Sequence, residues 1–131
     1  MKTTIYTDGA CYPNPGIMGV GIVIEQNNKI IKEISKKLNR GTNNTAEYMA
    51  VIIALEEAKK MRISSIDLFI DSALVVGQLE YGYKINKPHL KELNDKVSDL
   101  RKEFKKVTIV RNERENNERA DRLSKKAIFG P

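Results

Sequence analysis

The sequence is short of the residues that build soft-ligand sites and crosslinks: in 131 residues there is one cysteine, one histidine and no tryptophan. Cys11 alone cannot close an intramolecular disulfide, and one Cys beside one His, Cys11 and His89, cannot make a zinc centre. No apolar run approaches the ~20 residues of a membrane span, and no cationic leader precedes an apolar stretch, so neither a transmembrane nor an exported protein is expected. Together these absences point to a cytoplasmic setting.

What is present is an ordinary globular composition, 40% hydrophobic and 31% charged. The length suits one domain over residues 1–131, long enough to bury roughly two thirds of the surface the unfolded chain exposes. A net charge of +6 suggests an anionic partner. The basic residues crowd the C-terminal half, while several acids sit at the ends of apolar segments. That pattern suits a protein holding phosphates around an acidic spot.

Residues 2–8 alternate as a strand, with Ile5 and Thr7 on one face and Thr4, Tyr6 and Asp8 on the other. Residues 19–25 and about 29–38 read as two more strands joined by the turn "QNNK", giving an antiparallel meander. From Asn44 to about Met61 the period turns helical, with Ala50, Val51, Ala54, Leu55 and Ala58 on one stripe. "SIDLFID" (65–71) reads as a buried strand, 72–80 as a short helix and "YGYKINKP" as a loop. Pro88 opens a helix to about Phe104, "VTIV" (107–110) is a last strand, and "NNERADRLSKKAI" a terminal helix. This order predicts a mixed sheet flanked by helices, because the later strand-helix-strand crossovers require parallel pairing.

Four carboxylates fall at element ends. Asp8 ends the first strand, where it also reads as the start of an Asp-Gly turn. Glu47 heads the apolar helical stripe, and equally reads as the third residue of a capping box begun by Asn44. Asp71 follows the buried strand, as a site residue or as a helix N-cap shared with Ser72. Asp121, four residues before Lys125, has the spacing of a solvated ion pair. All four converge if the first and fourth strands are neighbours. Such a cluster resists ionising together unless a hard cation sits in it, and an oxygen-only ligand set favours Mg²⁺ or Mn²⁺.

In order and local context, "TDGACYPNPG...GVGIVI", "TNNTAEYMAVIIAL", "LFIDSALVV" and "RENNERADRLSKKA" resemble the four acidic motifs of type 1 ribonucleases H, over residues 4–127. The resemblance implies an α/β fold with a five-stranded mixed sheet, strand two antiparallel to its neighbours. It implies a metal-dependent endoribonuclease that cuts the RNA strand of RNA/DNA hybrids, leaving 5′-phosphate and 3′-hydroxyl ends. Asp8, Glu47, Asp71 and Asp121 would be the catalytic and metal-binding set for two Mg²⁺ ions, with Mn²⁺ as a substitute. One ion would lower the pKa of the attacking water and the other stabilise the leaving oxygen, with Asp8 between them. Gly9, Ala10, Cys11, Asn14, Asn43 and Asn44 would line the minor groove, where 2′-hydroxyls distinguish RNA from DNA, and Thr42 would reach a DNA phosphate. A Pro-Gly turn for the first group and helix capping for the asparagines are the alternatives.

The chain departs from the common pattern twice. The loop before the last helix, "VRNERENNERAD", lacks the histidine that many members carry and resembles the archaeal-like form, which makes Arg114, Glu115 and Asn117 the auxiliary candidates. The Trp-rich basic protrusion of some bacterial members is also missing, which leaves hybrid binding to dispersed cations such as Lys84, Lys87 and Lys91. His89 reads as structural or solvent-facing. The rival reading from another class is a non-catalytic hybrid-binding module of the same fold. Against a further rival, the ribonuclease H portion of a reverse transcriptase, Met1 just before the first strand and the end at Pro131 favour an independent protein; a monomer without an obligate partner is assumed.

Overall fold

Residues 2–131 are described by a computed structural model, and Met1, on which the expectation of an independent chain drew, lies outside them. Five strands, β1 (Thr3–Tyr12), β2 (Gly16–Gln26), β3 (Lys29–Gly41), β4 (Ser65–Ile70) and β5 (Lys106–Arg111), make one sheet in the order β3-β2-β1-β4-β5. β2 is antiparallel to both neighbours, and β4 is parallel to β1 and β5. The mixed sheet expected from the element order is therefore the one formed, and β1 and β4 are adjacent.

Four helices cover it: α1 (Asn43–Lys60), α2 (Ala73–Glu80), α3 (Pro88–Arg101) and α4 (Glu118–Phe129). α1 lies on the face carrying Ile5, Ile22 and Ile24, and its Val51, Ala54, Leu55 and Ala58 join them in the main core with Leu68, Ile70 and Val97. Tyr48, fully buried, donates to Gln78 Oε1 at 2.6 Å and accepts from Asn94 Nδ2 at 3.1 Å, which locks α1, α2 and α3 together through one hydroxyl. α4 takes the opposite face. It can do so because Gly19 and Gly21 of β2 have no side chain: a Cβ on Gly21 would lie 2.0 Å from the Ala120 carbonyl oxygen. Among the described residues no helix is long and apolar enough to cross a membrane.

The "QNNK" turn is as expected. Asn27 and Asn28 both adopt positive φ, 53° and 67°, the left-handed pair that a two-residue hairpin requires. Other boundaries moved. β1 does not stop at Asp8 but runs to Tyr12, because β2 continues to pair with it through Cys11↔Met18 and Tyr12↔Ile17 after β4 has ended. Gly9, Ala10 and Cys11 are consequently strand rather than loop. β3 extends to Gly41 for the same reason, and a 3₁₀ turn (Arg114–Asn116) precedes α4.

Candidate active site

The parallel pairing of β1 with β4 finishes at Thr7↔Ile70, so Asp8 and Asp71 are the next residue on each strand. Asp71 leaves the sheet at the carboxyl end of β4, the place where open α/β sheets gather their sites, and Asp8 stands beside it while still paired with Gly21 of β2. Asp71 is not the helix cap. Ser72 caps α2, its hydroxyl accepting from Val75 N at 3.2 Å, and the Asp71 carboxylate is thereby released.

Glu47 reaches the same spot from α1. The capping-box alternative fails: the N-cap is Thr42, not Asn44, and its Oγ1 accepts from Thr45 N at 3.2 Å. Glu47 Oε1 instead accepts from the Gly9 amide at 3.1 Å. Gly9 is the close-approach point between β1 and α1, where a Cβ would meet the Ala46 carbonyl carbon at 2.2 Å. Its lack of a side chain therefore answers first to helix packing.

One carboxylate oxygen from each of Asp8, Glu47 and Asp71 lies within 4.8 Å of the others. Burial, with like charge from Asp71 and Asp121 added, pushes the Asp8 carboxyl up to about 7, against a hydrogen bond from Ser124 that lowers it. Burial pushes Glu47 well above the usual carboxylate range, with Asp8 and Asp71 adding to the rise. Asp71 is also raised by burial, opposed by Asn117 and by the Arg114 charge. Glu47 Oε2 is buried without a hydrogen-bond partner. An acid trio with an orphaned oxygen fits a hard divalent cation, which would supply the charge and the ligand contact that the protein leaves out.

The trio lies along a groove of about 650 Å³. Asp121 lines the groove too, but its carboxylate stands outside the trio and binds Lys125 Nζ at 2.9 Å. Among the substrate-binding candidates, Gly9, Ala10, Cys11, Asn43 and Asn44 line the groove. Asn14 and Thr42 do not; Asn14 Oδ1 accepts from the Asn43 amide at 3.2 Å, pinning the 13–15 turn to the start of α1. Arg114 and Glu115 form one wall, and Asn117 lies behind it, its Nδ2 donating to Thr7 O at 2.9 Å. His89 is exposed, at the start of α3.

Two contributions were missed in the sequence. Arg111 and Lys125 add positive charge to the walls, and Ser124 Oγ donates to Asp8 Oδ2 at 2.7 Å in a fully buried setting. A signal for the second existed: Ala120 and Ser124 form a small-residue stripe that matches the glycines of β2.

A family model described as reverse transcriptase-like matches residues 6–127. The ribonuclease H of Trichodesmium erythraeum is 37% identical over 141 residues, covering 96% of this chain and 88% of that one. The chain belongs to the ribonuclease H family. The crystal structure of RNase H1 from the archaeon Halobacterium salinarum superposes with a TM-score of 0.96 at 36% identity, covering 100% of both chains. LC11-RNase H1, from a compost metagenome, was crystallised in complex with an RNA/DNA hybrid; it has a TM-score of 0.91 and 36% identity, covering 97% of this chain and 96% of that one. The mycobacterial relatives, 32% identical over 130 residues, are longer proteins, and the chain spans 36% of their length.

Proposed function

We propose that this ribonuclease H family member is a metal-dependent endonuclease hydrolysing the RNA strand of RNA/DNA hybrids, leaving 5′-phosphate and 3′-hydroxyl ends. The observation that carries the reading is the juxtaposition of Asp8, Glu47 and Asp71, with carboxylate oxygens within 4.8 Å, along a groove also lined by Arg111, Arg114 and Lys125. A protein that only bound phosphates would gain nothing from buried acids beside them. The hybrid-bound relative and the ribonuclease H relatives support the choice of substrate.

We read Asp8, Glu47 and Asp71 as a site for Mg²⁺, with Mn²⁺ as a substitute; the cluster supports a divalent cation, and a second ion with Asp121 as the fourth ligand is what the family resemblance adds. When bound, the ions would supply Lewis-acid charge at the scissile phosphate and acidify the attacking water. The rest is the work of the chain. Glu47 is oriented by the Gly9 amide, so one of its oxygens is fixed and the other stays free. Lys125 pairs with Asp121 at 2.9 Å, so a cation held by Asp121 would compete with that pair and leave the ammonium free for a phosphate. Asn43 and Asn44, in the first turn of α1, offer amide donors and acceptors where a 2′-hydroxyl would lie. Arg114 bears on Asp71 and on phosphate as a fixed charge; guanidinium keeps its proton near neutral pH and takes no part as a base. We read the chain as one ribonuclease H domain, monomeric and cytoplasmic.

The test uses labelled RNA/DNA, RNA/RNA and DNA/DNA duplexes in Mg²⁺ or Mn²⁺, with Asp71→Asn in parallel. Hybrid cleavage by the wild type and none by Asp71→Asn is expected. Equal cleavage by both would sink the mechanism, tight hybrid binding without cleavage would favour the non-catalytic module, and cleavage of DNA/DNA alone would overturn the substrate.

A further inference from the structure

We propose that Ser124 is a positioning residue for the metal-binding carboxylate Asp8, a proposal that rests on reading the acid cluster as a cation site. Ser124 is fully buried on α4, and its Oγ lies 2.7 Å from Asp8 Oδ2 and 2.8 Å from the Asp121 carbonyl oxygen. A hydroxyl has one proton and two lone pairs. It can donate to only one of these oxygens at a time, and the charged carboxylate is the stronger acceptor. With Oδ2 held in this way, Asp8 is fixed in one rotamer and its Oδ1 is left open to a cation.

The arrangement is built rather than incidental. Asp8 pairs with Gly21 across the sheet, and both point toward α4. At Gly21 a Cβ would sit 2.6 Å from the Ser124 amide nitrogen, so any larger residue there would push α4 outward and pull the hydroxyl from Asp8. Ser124 also lies one turn beyond Asp121. The same side chain therefore ties the helical turn that carries the fourth carboxylate to the strand that carries the first. Partners of ligating carboxylates tune affinity through orientation, and removing one costs 10–100-fold in metal affinity or activity.

The experiment measures Mg²⁺ binding to the substrate-free protein by calorimetry and by the Mg²⁺-dependent rise in melting temperature, in wild type, Ser124→Cys and Ser124→Ala. Roughly tenfold weaker binding is expected for Ser124→Ala, with Ser124→Cys, a weaker donor of similar shape, between it and the wild type. In cleavage assays the Ser124→Ala defect should shrink as Mg²⁺ is raised, while KM for the hybrid stays put. A purely structural role would lower the melting temperature in EDTA without moving the Mg²⁺ midpoint. A midpoint for Ser124→Ala within twofold of wild type would overturn the proposal while leaving the nuclease reading intact. Absence of Mg²⁺ uptake by the wild type would remove both.

Discussion

At the scale of single residues, the site is a set of acids held where acids are unstable. Burial raises the Asp8 carboxyl from its ordinary 3.8 to about 7. A carboxyl with a raised pKa binds its proton more tightly folded than unfolded, so its contribution to stability is complete below about pH 4 and is lost as pH climbs through about 7. Glu47 moves in the same direction. In EDTA the melting temperature should therefore fall between pH 5 and pH 8. Saturating Mg²⁺ takes the place of the protons, so its stabilising effect should be larger at pH 8 than at pH 5.5. A Mg²⁺-induced shift that is the same at both pH values would mean the cation binds elsewhere. The convergence of Asp8, Glu47 and Asp71 was legible from residue type and position, whereas Asp121 has the ion pair with Lys125 that its spacing also predicted, and what surrounds the acids was not legible. Asp8 reads locally as a turn residue, and only pairing of β1 with β2 beyond it shows that it stands mid-strand. Ser124 shows locally only as a small residue in the Ala120–Ser124 stripe; that its hydroxyl meets Asp8 does not, since that partner is 116 positions away.

At the scale of elements, two glycine contacts set how closely helices approach the sheet, one on each face. Gly9 admits α1 and Gly21 admits α4. Replacing Gly21 by alanine forces backbone against backbone, with no flexible side chain to yield, and should cost about 1–3 kcal/mol in urea unfolding. The same variant should weaken Mg²⁺ uptake, because α4 carries both Ser124 and Asp121. Unchanged stability in Gly21→Ala would show that α4 packs differently. Elements with strong local signals were read correctly: α1 from its apolar period, and the β2–β3 hairpin from two asparagines that tolerate positive φ. The ends of β1 and β3 were not, because a strand stops where its neighbour stops, which is a property of the sheet.

At the scale of the whole molecule, the charge of +6 sits around an acidic centre, and Lys84, Lys87 and Lys91 are exposed between α2 and the first turns of α3. Binding to a hybrid through dispersed phosphate contacts releases counterions, so affinity measured by fluorescence anisotropy should fall by roughly tenfold or more between 50 and 200 mM salt. Affinity that barely changes over that range would place recognition in uncharged contacts instead. β3, a 13-residue edge strand, carries Lys29, Lys32, Lys36 and Lys37 along its exposed length, charges that oppose edge-to-edge pairing. The bond from Ser124 to Asp8 spans nearly the whole polypeptide. During synthesis at roughly 5–20 residues per second, Asp8 has left the peptidyl-transferase centre some ~6–23 s before Ser124 is even added. The hydroxyl that holds Asp8 is thus missing until the last helix is made, so the pocket around that carboxylate is completed only when nearly the whole chain has been synthesised and α4 has closed on the sheet.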